Sequence, residues 1–193
     1  ENNMKKTLLK LGVISAILAS SLHAGNYEVD KSHSNVEFKI EHLMVSNVKG
    51  SFNDFSGEIS FNEETKELES IKGKAVVASI DTNNEKRDEH LKASDFFDAA
   101  NHADITFESV KFEGDTVYGY LTMKGIKQMI QLEIESLNYL PKDMSGNERI
   151  GVTLEGEINR KDFGLSYNKV LETGGAVLGE TVKLNIELEG IKK

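Results

Sequence analysis

Residues 182–189, Val-Lys-Leu-Asn-Ile-Glu-Leu-Glu, alternate without a slip. Val182, Leu184, Ile186 and Leu188 fall on one side of an extended chain, and Lys183, Asn185, Glu187 and Glu189 fall on the other. A side-chain period of two is that of a β-strand with one face buried and the other in water. The rhythm recurs upstream. Val36, Phe38, Ile40 and His42 alternate with Glu37, Lys39 and Glu41, and Phe55, Gly57, Ile59 and Phe61 with Ser56, Glu58 and Ser60. Ile130, Leu132 and Ile134 repeat the pattern, as do Ile150, Val152, Leu154, Gly156 and Ile158. Weaker strands fit Ile71 to Ile80, Ala103 to Phe112 and Thr116 to Met123, for a total of about eight.

Turn formers separate these runs at Asn62 to Lys66, Glu113-Gly114-Asp115, Lys124-Gly125 and Pro141 to Asn147. The break at 113–115 is short enough to predict a hairpin. One stretch departs from the rhythm. Asp81-Thr82-Asn83-Asn84-Glu85 offers N-cap oxygens, with Thr82 and Glu85 at capping-box spacing, and predicts a short helix over Asn83 to Lys92. A second turn is expected at Ser94 to Ala99. No repeat or linker interrupts residues 25–193, which read as a single domain.

One-sided strands without a matching set of helices bury their apolar faces in one of two ways: a two-sheet sandwich, or a closed barrel. Eight strands is the size at which a barrel encloses one small ligand. Gly57, Gly73, Gly119 and Gly156 inside strands fit sharp curvature or close backbone approach and favour the barrel, though composition does not decide it.

The chain has 193 residues, 38% hydrophobic and 28% charged, with a formal net charge of −9. A field of that sign repels phosphate backbones and anionic lipid surfaces, which argues against nucleic-acid partners and peripheral membrane binding. The amino-terminal residues have another purpose. Glu1, Asn2 and Asn3 precede Met4, after which Lys5, Lys6 and Lys10 lead into the apolar run Leu11 to Leu18 and the small residue Ala24. This predicts a secretory signal over residues 1–24, cleaved near Ala24, and hence a periplasmic protein. The run is too short to cross a ~30 Å hydrocarbon core, so no stable membrane insertion is expected. With no cysteine in the chain there are no disulfides and no lipidated thiol, and stability rests on core burial.

No P-loop, GxSxG or HExxH motif is present, and neither a metal nor a cofactor is expected. His42 is in phase with Phe38 and Ile40, which turns its ring toward the interior at a strand end, either as a hydrogen-bonded structural residue or facing a ligand. Arg87, Asp88 and His90 cluster on the predicted helix, where charge usually means solvation; the alternative is an inward Arg87 offering its fork to a head group. His33 and Ser34 are strand neighbours on opposite faces and cannot form a nucleophile–base pair. Phe96 and Phe97, between Asp95 and Asp98, are placed to plug an open end of the β core. Arg160 points inward if its strand continues, and then needs a counter-charge. His42 and His90 with Asp81 supply the residues for an alternative enzymatic reading, by acid–base or metal chemistry.

Taken together, the segments resemble the YceI family. The resemblance is carried in order by Tyr27-Glu28-Val29-Asp30-Lys31-Ser32-His33-Ser34, Glu41-His42-Leu43, Gly50-Ser51-Phe52, Phe55-Ser56-Gly57, Ser79-Ile80-Asp81-Thr82, Arg87-Asp88-Glu89-His90-Leu91 and Asp95-Phe96-Phe97-Asp98. Ile105-Thr106-Phe107-Glu108-Ser109, Gly119-Tyr120-Leu121-Thr122 and Asn159-Arg160-Lys161-Asp162-Phe163-Gly164 complete it. His102-Ala103 departs from the family's frequent Tyr-Pro, at a turn. The resemblance implies an all-β, eight-stranded antiparallel, lipocalin-like barrel with a short helical insertion. It also implies a periplasmic protein, often a homodimer, that is not an enzyme and holds a polyisoprenoid or other long-chain amphiphile. Carried onto this chain, it implies a tunnel lined by Phe38, Phe97, Ile105, Phe107 and Phe163, with a polar end at His42, Arg87, Asp88, His90, Asn159 and Arg160. Alternation independently turns Phe38 and His42 inward, agrees for Ile105 and Phe107 if they share that face, and puts Asn159 outward. Burial supplies the affinity for such a ligand, about 0.8 kcal/mol per methylene, and release then requires the helical segment to move.

Overall fold

The structure, a computed structural model, describes residues 24–169 and 177–193; the predicted leader, but for Ala24, lies outside them. Its strands are β1 (Ala24–Val29), β2 (Asn35–His42), β3 (Ser46–Phe52), β4 (Phe55–Asn62), β5 (Glu67–Val76) and β6 (Ile80–Asp81). After helix α1 (Glu85–Lys92) come β7 (Asp104–Glu113), β8 (Thr116–Met123), β9 (Ile126–Leu140), β10 (Arg149–Asn159) and β11 (Leu178–Lys192). Neighbours run β1-β4-β5-β7-β8-β9-β10-β11, and β11 returns to β1 through Tyr27↔Lys192 and Val29↔Gly190. Every pairing is antiparallel, so these eight strands close a barrel. The other three strands continue members of the ring past a short break. β2 runs on from β1 and pairs with β11, β3 precedes β4 and pairs with β2, and β6 runs on from β5 and pairs with β3. The expected eight strands are therefore eight barrel positions, three of them broken.

The breaks lie side by side. Asn53 N donates to Ser79 O at 3.1 Å, Val76 N to Asp54 O at 2.8 Å, and Lys31 Nζ reaches Asp54 Oδ1 at 2.7 Å. Outward strand positions are mostly polar or charged and inward ones mostly apolar, the reverse of a membrane barrel's lipid-facing surface. Among the described residues no helix is long and apolar enough to cross a membrane.

The two ends of the barrel differ. Around the start of β1 and the end of β11 the interior is solid: Tyr27, Ile59, Phe61, Val117 and Ile150 are each at most 1% exposed. Polar groups cap this end. Tyr27 Oη donates to Glu63 at 3.0 Å, Tyr139 Oη donates to Glu148 at 3.0 Å, and Lys192 Nζ bridges Glu63 and Glu148 at 2.7 and 3.0 Å. Nearby, Arg149 joins Asp143, Asp30 and Glu189. Its hydrogen bond, helped by the Asn147 and Ser145 N–H groups, lowers the Asp143 carboxyl to about 2. Asp30 is held well below the usual carboxylate range by Ser32 and His33. A carboxyl whose pKa is depressed on folding stabilises the fold fully above its unfolded value near 4 and loses that contribution as the pH falls through the folded value. The urea midpoint is therefore expected to drop between about pH 4 and 2, and Asp143→Asn to flatten that limb; an unchanged limb would remove this group from the account.

One local detail differs from the sequence reading, and the strand glycines differ among themselves. The helix begins at Glu85, with Asn84 as N-cap accepting from Arg87 N at 3.0 Å, because Thr82 is engaged elsewhere. The inward glycines do not all leave space. A Cβ on Gly119 would lie 2.4 Å from Phe107 Cζ, so this glycine seats a ring, whereas Gly73 has nothing nearer than 4.0 Å.

On one side the wall is incomplete. Among the described residues β6 pairs only with β3, and β5 meets β7 no further than Val76↔Asp104, with Val77 N donating to Ala103 O at 2.8 Å beyond. Past that point α1 and the turn at 93–103 cover the gap between β6 and β7, without a ladder among the described residues.

Candidate functional site

The end of the barrel beneath α1 is hollow. A cavity of about 230 Å³ is lined by Phe38, Ile40 and His42 of β2, by Leu178, Val182 and Leu184 of β11, and by Leu91, Phe96 and Phe97 from the helix and the turn after it. A second cavity, about 100 Å³, lies deeper and is lined by Gly73, Phe107, Leu121, Ile130 and Leu154, among others. Ile105 and Leu184 border both, which makes them the waist between two apolar chambers. The larger one exceeds the ~150 Å³ apolar cavity that admits benzene in an engineered protein.

The strand period explains the lining, and the aromatic contacts fix its shape. Phe38 and Phe52 stand with ring centres 5.8 Å apart, and Phe97 meets Phe52 edge-on at 6.0 Å. Phe38 can approach because Gly50 lies beneath it; a Cβ there would be 2.5 Å from its Cζ. This row of three rings ties the turn after the helix to the barrel wall.

The polar side chains are few. Arg160 follows β10 at the start of a 3-10 turn and is only 3% exposed. Its Nε donates to Gly179 O at 2.8 Å and its Nη1 to Leu165 O, while Nη2 is buried with no partner among the described residues. Burial pushes its pKa down from the guanidinium range. Arg87 donates through Nε to Thr82 Oγ1 and through Nη2 to Thr82 O, both at 2.7 Å. His90 lies 2.8 Å from Asp95 Oδ2, and its ring meets Phe96 and Tyr167 edge-on at 5.0 Å. His42 reaches the same cavity from the end of β2.

Of the residues singled out from the sequence, Phe38, His42, Arg87, His90, Phe97, Ile105 and Arg160 come together on the larger chamber, and Phe107 lines the smaller. Three do not join them. Asp88 is 9% exposed and is used up inside the protein, accepting from Thr82 N at 2.9 Å and Thr82 Oγ1 at 2.5 Å; it pins α1 to the residue after β6. Asn159 faces outward, as alternation required, and caps the 3-10 turn by accepting from Lys161 N at 2.9 Å. Phe163 is 1% exposed but borders a groove on the outer surface with Asn159, because the chain coils after β10 rather than continuing as a strand. Ile40 was legible by period and Phe52 from its motif, whereas Leu165 and Tyr167 lie on an irregular segment that carries no periodic signal.

The residues of the enzymatic alternative are not assembled. Asp81 accepts from Asn83 N at 2.8 Å and borders a different depression, with Lys39 and Lys49, while His42 and His90 face the chamber. His33 Nδ1 lies 2.8 Å from Asp30 Oδ2, and Ser34 Oγ donates instead to Asp30 O at 2.7 Å. Asp30, His33 and Glu189 bring three potential ligand atoms within 4.8 Å of one another, but Arg149 already supplies the positive charge there.

Residues 27–190 match the YceI-like domain. The UPF0312 protein of Staphylococcus aureus strain N315 is 39% identical over 166 residues, which span 85% of this chain and 96% of that protein. The crystal structure of a Campylobacter jejuni YceI protein superposes with a TM-score of 0.68 at 37% identity, covering 85% of this chain and 96% of the other. At 17% identity, a polyisoprenoid binding domain from Saccharophagus degradans, implicated in plant cell wall breakdown, shares the fold with a TM-score of 0.62, covering 86% and 98%.

Proposed function

The chain belongs to the family of YceI-like domains, and from that premise we propose that it is a periplasmic carrier holding a long apolar amphiphile, of isoprenoid or fatty-chain type, inside its barrel. The observation that carries the reading is the half-hollow interior: two apolar chambers meet at Ile105 and Leu184 beneath a helix that no ladder fastens. The reading needs no chemistry from the protein. Each methylene moved from water into the chambers contributes about 0.8 kcal/mol, so a long chain binds tightly with few polar contacts. The description of the Saccharophagus degradans fold relative as polyisoprenoid binding agrees with this. The periplasmic address rests on the charged-then-apolar leader ending at Ala24.

Native mass spectrometry of protein purified from the periplasm is expected to show one long-chain amphiphile per chain. Delipidated protein is expected to take up a C20–C40 isoprenoid or a long fatty chain in fluorescence competition. Unliganded protein that takes up neither would overturn the proposal.

A further inference from the structure

The turn that joins β2 to β3, at the rim of the hollow end, goes against both backbone and solvation preference. Val45 N donates to His42 O at 3.2 Å, closing a four-residue turn whose central residues, Leu43 and Met44, have φ of 54° and 61°. A two-residue hairpin needs both in this left-handed region, and Asn-Gly meets the need with least strain. Here the residues are bulky and apolar, and Met44 and Val45 are 57% and 83% exposed. A tip shaped by folding alone would carry glycine and polar side chains. We propose that this tip dips into the surface of a phospholipid bilayer of low net charge and brings the mouth of the larger chamber to the membrane. Exchange of cargo there rests on the carrier reading above.

Three observations support the contact. The first is continuity. Ile40, His42 and Val48 of the same hairpin line the larger chamber, and Leu43 N donates at 2.8 Å to the carbonyl of Val177, another lining residue. The exposed tip and the chamber wall are thus parts of one hairpin. The second is charge. Lys39 and Lys49 on the hairpin balance its Glu37 and Glu41, in a protein whose formal charge is −9. An anionic leaflet repels the molecule as a whole, whereas a zwitterionic one accepts a neutral tip. The third is the polarity of the neighbouring turns, where Asp95, Asn101, Lys161 and Asp162 are exposed. Contact is therefore confined to the tip and is brief, since even a myristoyl chain alone binds a membrane only marginally.

The chain has no cysteine, so Val45→Cys can carry a single environment-sensitive fluorophore. Met144→Cys, fully exposed between β9 and β10 at the closed end, carries the same label as the control. On phosphatidylcholine vesicles the label at 45 is expected to brighten and shift to the blue, and the label at 144 is not. Replacing half of the lipid by phosphatidylglycerol is expected to weaken the response at low salt. Transfer of a fluorescent C20 isoprenoid from phosphatidylcholine vesicles to unlabelled, delipidated protein is expected to slow at least about tenfold in Met44→Glu/Val45→Glu. Affinity for the same isoprenoid presented without vesicles is expected to change by less than about twofold. Met44→Gly/Val45→Ser, whose glycine suits the left-handed turn, guards against a misfolded hairpin and is expected to slow transfer likewise. No response at 45, an equal response at 144, a stronger response on the anionic vesicles, or undiminished transfer in both variants would overturn the proposal. So would a response that grows with protein concentration in the absence of vesicles, which would assign the tip to a second copy of the chain. A tip that responds to vesicles while neither isoprenoid nor fatty chain is bound would instead count against the carrier reading and leave the membrane contact standing.

Discussion

Leu184→Trp is expected to lower affinity for a C18 or longer chain by at least about a hundredfold while the barrel stays folded. Leu184 sits on β11 opposite Phe38 and Gly156, and it borders both chambers. An indole there fills the waist and denies the ligand the deeper chamber. Excluding about four methylenes at about 0.8 kcal/mol each removes roughly 3 kcal/mol, more than two orders of magnitude in Kd. Because the larger side chain grows into empty space, the overpacking cost seen in filled cores is small. A chain-length series separates this from general damage. Wild-type affinity should climb about fourfold per methylene up to long chains, and the variant should follow the same slope but stop earlier. A uniform loss at all lengths would mean that the chambers do not act in series.

The second large effect concerns stability. Phe61→Ala is expected to cost about 3–5 kcal/mol in urea unfolding, and Phe97→Ala about 1–2 kcal/mol. Phe61 is 1% exposed in the solid end, against Tyr27 and Tyr139 at ring distances of 6.3 and 5.4 Å, and its removal leaves a void that packed neighbours cannot close. Phe97 already borders a cavity, so its loss forfeits fewer contacts and enlarges a space that exists. It should also weaken retention of the ligand, which Phe61→Ala should not do beyond its effect on folding. Equal costs at the two positions would contradict the division between a filled and a hollow end.

Much of this was written in the alternation. Phe38, Ile40 and His42, read as inward, do line the chamber, and the strand over Thr116–Met123 has the bounds that its sequence pattern gave it. Period two reports facing, however, and is blind to connectivity. It gave no sign that β1, β4 and β5 are continued past level breaks, because Asp30 to Ser34 and Val77 to Ser79 form 3-10 turns through local hydrogen bonds. The parity argument carried Arg160 inward by assuming that its strand continued. The side chain is inward, but at the first residue of a coil that turns Phe163 away from the chamber. Asp88 was misplaced for a different reason. A helical charge pattern cannot distinguish a head-group ligand from a carboxylate spent on Thr82, and only the position of β6 beside α1 decides.

The unladdered stretch between β6 and β7 has a kinetic consequence. On the carrier reading, emptying the chamber is expected to require parting side chains, chiefly Leu91, Phe96 and Phe97, with the bonds at Thr82 and the one from Lys124 Nζ to Ser94 O, while no rung of the barrel need break. On the same reading, loading and discharge are therefore expected to run on a local opening rather than on melting of the scaffold. Amides of residues 85–103 should exchange with deuterium well before those of β9 and β10, and cargo should protect the former while leaving the latter unchanged.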